Sequence, residues 1–108
     1  REVNVPYPQA WRYRDWVIDA YQNDKPYDQF LLEQLAGDLL PAQNDRRRAE
    51  NQIATGFLAV GSRGLNEMNP RQFAVDQADE QIDTTFQATM ALTVACARCH
   101  DHKFDPIP

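Results

Sequence analysis

Cysteine occurs only twice in this chain of 108 residues and glycine only four times. Two cysteines so close together give no disulfide framework: a Cys96–Cys99 bridge would close a very small loop and join no distant segments. No apolar run is long enough to cross a bilayer, so no membrane span is expected within the chain. Positive charge is scarce, with 11 Lys and Arg against 16 Asp and Glu and a net charge of −5. That balance speaks against nucleic acid or an anionic membrane surface and suits a basic partner or plain solubility. Nothing alternates at period two over a strand's length, and no internal repeat is present. A leading methionine is also missing: the chain opens on Arg1 with no signal peptide, which suggests a processed or excised product.

What is present is ordinary soluble composition, 43% hydrophobic and 25% charged, enough for a modest core. Pro6 and Pro8 discourage regular structure in the first residues. From about Gln9 to Asn23, the residues Tyr13, Trp16, Val17, Ala20 and Tyr21 recur at helical spacing. Pro26 and Asp28 suit the start of a second helix, in which Tyr27, Phe30, Leu31 and Leu35 would share a face. Gly37 and Pro41 bracket its end, with Leu39 and Leu40 expected to tuck between. Asn44 is a plausible cap for a third helix, in which Ala49, Ile53, Phe57 and Val60 repeat before Gly61 stops it.

Gly61 to Asn69 reads as a loop. Asn69-Pro70-Arg71-Gln72 then suggests a capped start with a variant capping box. A fourth helix should run most of the way to His100, with Ile82, Phe86, Met90 and Val94 as its core-facing edge. Its threonines lower intrinsic propensity, so packing must hold it. The expected fold is all-α, about four helices within one domain spanning residues 1–108.

Two charge clusters have competing readings. Arg46-Arg47-Arg48 is a docking patch for an acidic partner or, as the simpler reading, a solvated first turn paired with the chain's own carboxylates. Asp76, Asp79, Glu80 and Asp83 fall on one helical face and could bind a hard metal ion. Their simpler partners are arginines such as Arg46 to Arg48, or Arg71.

The most informative stretch closes the last helix: Cys96-Ala97-Arg98-Cys99-His100. A Cys-x-x-Cys-His run is the attachment signature of c-type haem. On a helix the three positions share a face, so Cys96 and Cys99 can each add a thiol across one vinyl group of a single porphyrin. His100 then sits where an imidazole nitrogen binds the iron axially. Covalent haem attachment needs reduced thiols and usually takes place outside the cytoplasm, which favours an exported, periplasmic address. A competing reading takes Cys96, Cys99 and His102 as a zinc half-site, completed by Asp101 or Asp105 or by another chain. For the sixth iron position the loop offers Met68, whose thioether could swing over the distal face, and Asn66 or Glu67 as pocket-lining groups.

Several blocks resemble the planctomycete cytochrome C domains, a family of large exported bacterial proteins of unknown function. The blocks include Ala10-Trp11-Arg12-Tyr13-Arg14-Asp15-Trp16-Val17-Ile18, Gln34-Leu35-Ala36-Gly37-Asp38-Leu39-Leu40-Pro41 and Asp79-Glu80-Gln81-Ile82-Asp83. The most specific runs from Leu92 through Cys96-Ala97-Arg98-Cys99-His100-Asp101-His102-Lys103-Phe104-Asp105-Pro106 to Ile107. The resemblance implies that Cys96, Cys99 and His100 hold the haem, and that the chain is the middle of a larger domain. One departure is Arg98, uncommon before the second cysteine, whose charge could pair with a haem propionate or face water.

These readings lead to an expected c-type haem module for single-electron transfer, with covalent haem c as cofactor. Its partners would be a redox protein and the remainder of the parent domain or other subunits. The alternatives are a haem enzyme or gas-binding module with an open sixth site, and a zinc-stabilised structural domain.

Overall fold

A computed structural model describes residues 6–61, 64 and 67–108. Its order is α1 (Ala10–Gln22), α2 (Tyr27–Ala36), α3 (Asp45–Ala54) and α4 (Pro70–Met90). Short 3-10 turns follow α2 (Gly37–Leu39), α3 (Thr55–Leu58) and α4 (Ala95–Arg98). The fold is all-α, and among the described residues there is no strand. The chain divides into two compact units, residues 1–60 and 61–108.

In the first unit α1, α2 and α3 pack around Trp16, Ala20 and Ala54, all buried. Trp16 stacks between Tyr13 and Phe30, with ring centroids 6.2 and 5.3 Å away. Large aromatic faces here supply apolar area that a short helix could not otherwise bury. The periodicity on α1 therefore reads through to packing from Tyr13 to Ala20, but not at Tyr21, which is 75% exposed and meets Phe30 only edge-on.

On α2 it does not: Tyr27 and Leu35 are exposed, and the buried side chains are Glu33 and Gln34. Each inward polar group has partners that remove the usual penalty for burial. The Glu33 carboxylate accepts from Lys25 on one oxygen and from Arg47 on the other. Gln34 accepts the Tyr13 hydroxyl proton and donates to the Phe30 carbonyl. Leu39 is likewise exposed, not tucked in.

Helix α3 starts as expected, with the Arg47 N–H donating to the Asn44 side chain at 2.8 Å. It ends early, at Ala54, and tightens into the 3-10 turn carrying Phe57. Gly56 allows this turn to approach α1, since a Cβ there would lie 3.0 Å from Tyr13 Cβ. The arginine triplet pairs with carboxylates of its own unit: Arg46 with Glu50, Arg47 with Glu33 and Glu50, and Arg48 with Asp45.

In the second unit Asn69 caps α4, accepting from the N–H groups of Arg71 and Gln72 at 3.0 and 3.3 Å. The Gln72 side chain does not reach back as a capping box would; it donates forward to Asp76. The Thr85 and Thr89 hydroxyls donate to carbonyls four residues earlier, which satisfies them within the helix. Helix α4 stops at Met90, before the cysteine motif, because Ala91 adopts a left-handed φ of 57°. The N–H of Leu92 turns back to the Phe86 carbonyl. The motif thus follows the last helix on a separate turn.

Candidate functional site

The segment after α4 lies along the acidic face of that helix. Asp83 begins the attachment: one carboxylate oxygen accepts the N–H groups of Val94 and Ala95, at 3.2 and 3.0 Å. These are free donors at the start of the Ala95–Arg98 turn, and a carboxylate is the favoured acceptor for them. Further toward the N-terminus of α4, Arg98 is 3.1 Å from Asp76 and 2.6 Å from Asp79. The hydrogen bond Arg98 donates to Asp76, then the charge of Asp79, pushes the Arg98 pKa up from its ordinary value.

The acidic face of α4 is therefore taken up by the Arg98 guanidinium and by the N–H groups of Val94 and Ala95. It serves as the seat of the cysteine turn, and Arg98 pairs with it while remaining partly exposed. Sequence reasoning missed this partner because residues 76 and 98 become neighbours only through the reversal at Ala91. Glu80, the remaining carboxylate, accepts from the Thr84 hydroxyl.

Seating the turn through Ala97 and Arg98 decides where the other side chains go. Ala97 and Arg98 line a cleft of about 460 Å³ with Ile82, Phe86, Val94 and Ile107. Cys96 and Cys99 are free thiols, both exposed, and His100 is exposed beside them. The turn is closed by N–H bonds from Ala97 to the Val94 carbonyl and from Cys99 to the Cys96 carbonyl, at 2.9 and 3.4 Å. Ile82 and Met90 remain about half exposed; of the expected core-facing edge, Ile82, Phe86 and Val94 line the open cleft and Met90 does not.

The imidazoles differ in role. His100 Nδ1 lies 2.8 Å from the Asp101 carbonyl, and a carbonyl only accepts, so Nδ1 carries the proton. Its Nε2 is then a bare lone pair. His102 is the reverse: its Nδ1 accepts the N–H groups of Phe104 and Asp105, at 3.2 and 2.8 Å. Its proton therefore sits on Nε2, which lies 3.4 Å from the Thr93 hydroxyl. With Nδ1 acting as an acceptor, the nearby Asp105 carboxylate makes no ion pair with it.

The zinc half-site is not assembled. His102 has a side chain only 9% exposed, turned toward Thr93, while both thiols face solvent. Among the described residues, no cluster of three or more His, Cys, Asp or Glu side chains is placed to hold a metal ion. The loop ahead of α4 is also engaged differently from expectation. The Glu67 carboxylate accepts the Asn69 N–H at 2.7 Å, and Asn66 lies outside the described residues. Met68 is 90% exposed and does not line the cleft.

Fold and site together define a class: an all-α chain that seats one Cys-x-x-Cys-His turn on the acidic face of its longest described helix. The PSCyt2 family model, described as a protein of unknown function (DUF1549), matches residues 1–108. The chain belongs to this family, the one its sequence blocks resemble. No curated protein and no solved structure matches the chain. No described helix is long and apolar enough to cross a membrane.

Proposed function

We propose that the chain is a c-type haem module, located outside the cytoplasm, that carries single electrons. The observation that carries this reading is the donor set on one turn: two exposed thiols followed by an imidazole whose Nε2 is bare. These residues fit the group. Cys96 and Cys99 would each form a thioether by adding S–H across a vinyl group, and His100 Nε2 would bind the iron. Bound haem would supply one-electron redox chemistry. The chain's own residues hold and orient: Asp83 and Arg98 seat the turn, and the Asp101 carbonyl fixes the proton on the far side of the His100 ring. The partners proposed are a redox protein and the remainder of the parent domain or other subunits.

The exposure of Met68 favours a second reading of the same site, a haem enzyme or gas-binding module with an open sixth position. Carbon monoxide separates the two. The test is to produce the chain in a host equipped for exported cytochrome c assembly and to stain a denaturing gel for haem. Haem retained by the wild type and lost in a Cys96→Ala, Cys99→Ala double variant supports attachment. A colourless wild-type chain with two free thiols overturns it. A reduced spectrum unchanged by carbon monoxide supports a ligated iron and electron transfer, whereas a shifted one supports the open site.

A further inference from the structure

The carbonyl that accepts from His100 belongs to the peptide unit joining Asp101 to His102. That unit is planar and trans, so its C=O and N–H point in opposite directions and turn together. Its N–H, on His102, donates to the Ile107 carbonyl at 2.9 Å. The Ile107 N–H in turn donates to the Asp105 carbonyl at 2.7 Å. Two further amides of this loop, on Phe104 and Asp105, converge on His102 Nδ1. One imidazole, nearly buried, therefore folds the 102–107 loop around itself and holds the carbonyl that faces His100. The approach of its Nε2 to Thr93 ties the loop to the residue before Val94, closing the cysteine turn at its base.

We infer that His102 is a positioning residue for His100: it fixes the 101–102 peptide, which sets the tautomer and aim of the His100 ring. The use of that aim rests on the proposed haem function, because an iron ligand needs Nε2 bare and pointed. The geometry itself does not rest on haem. His102 is thus neither a zinc ligand nor a second iron ligand.

The test is long-range proton–nitrogen NMR of the haem-free full chain, uniformly nitrogen-labelled, about two pH units above the ordinary histidine pKa. The wild type should show His100 protonated on Nδ1 and His102 on Nε2. In His102→Ala, His100 should move toward the Nε2-protonated form that free imidazole prefers. His102→Asn should restore the wild-type tautomer, because its Oδ1 can take the place of Nδ1 and accept from Phe104 and Asp105. An unchanged His100 tautomer in His102→Ala, or an Nε2-protonated His100 in the wild type, overturns the inference. Should His102→Ala disorder α4, His102→Asn decides: loss of the Nδ1-protonated form there also overturns it. The haem reading is scored separately on the stained gel. A wild-type chain that takes no haem yet shows these tautomers loses the function and keeps the positioning role.

Discussion

The Arg98 guanidinium lies 2.6 Å from the Asp79 carboxylate, and this pair decides which side of the Cys-x-x-Cys-His turn meets α4. Arg98 lies between the two cysteines of the motif. Here it is the anchor, and anchoring it leaves the thiols on the open side.

Replacing Arg98 should therefore loosen the turn without unfolding α4. In Arg98→Ala, amide exchange at Ala97 and Cys99 should quicken several-fold, while exchange in the middle of α4 stays unchanged. Arg98→Lys should restore only part of the protection, because an ammonium cannot present a planar fork to two carboxylates. Because the Arg98 pKa is raised, its folded value lies above its unfolded one. Its contribution is then complete wherever a free arginine is charged and is lost only at still more alkaline pH. The wild-type turn should show no loosening from Arg98 at ordinary pH.

Glu33 is fully buried between Lys25 and Arg47, so removing its charge strands Lys25 and leaves Arg47 only its longer pair with Glu50. Glu33→Gln should destabilise the first unit by about 3 kcal/mol, the lower end of the range for broken buried pairs, because both cations retain some solvent. Both tryptophans lie in α1, so urea unfolding followed by fluorescence reads this unit. Arg46→Ala, at an exposed pair, should change its stability by less than about 0.5 kcal/mol.

Gly37 passes so close to α3 that an added Cβ would lie 2.2 Å from the Asn51 carbonyl oxygen. That oxygen belongs to the backbone and cannot swing aside. Gly37→Ala should cost about 2 kcal/mol or more by the same fluorescence measurement. Gly64→Ala, which meets nothing within 4 Å, should be close to neutral.

Burial raises the Tyr13 pKa above its ordinary value of 10.0. The folded state thus holds this proton more tightly than the unfolded chain. The associated stability is present below about pH 10 and is lost as pH rises through the folded pKa. The stability of the first unit, read by urea unfolding at increasing pH, should begin to fall above about pH 10. In Tyr13→Phe that part of the fall should vanish, at a cost near neutral pH of about 1–3 kcal/mol for the unpaired Gln34 oxygen.

Much of this architecture was legible because its signals are local. Caps at Asn44 and Asn69 and the aromatic stripe of α1 follow from neighbouring residues alone. The inward face of α2 was not legible, since Glu33 reads as a surface residue until Lys25 and Arg47 converge on it from other elements. Nor was the seat of the cysteine turn, which depends on a left-handed Ala91 that no residue type announces. The identities of Cys96, Cys99 and His100 were plain in the sequence. The contrast between His100 and His102 emerged only from their partners.

The most direct test of the central claim is the intact mass of the denatured protein after production alongside cytochrome c assembly machinery. The account predicts a gain of one haem on the wild-type chain, none on the Cys96→Ala, Cys99→Ala double variant, and both wild-type thiols blocked to alkylation. An unmodified mass with Cys96 and Cys99 both alkylated would contradict it.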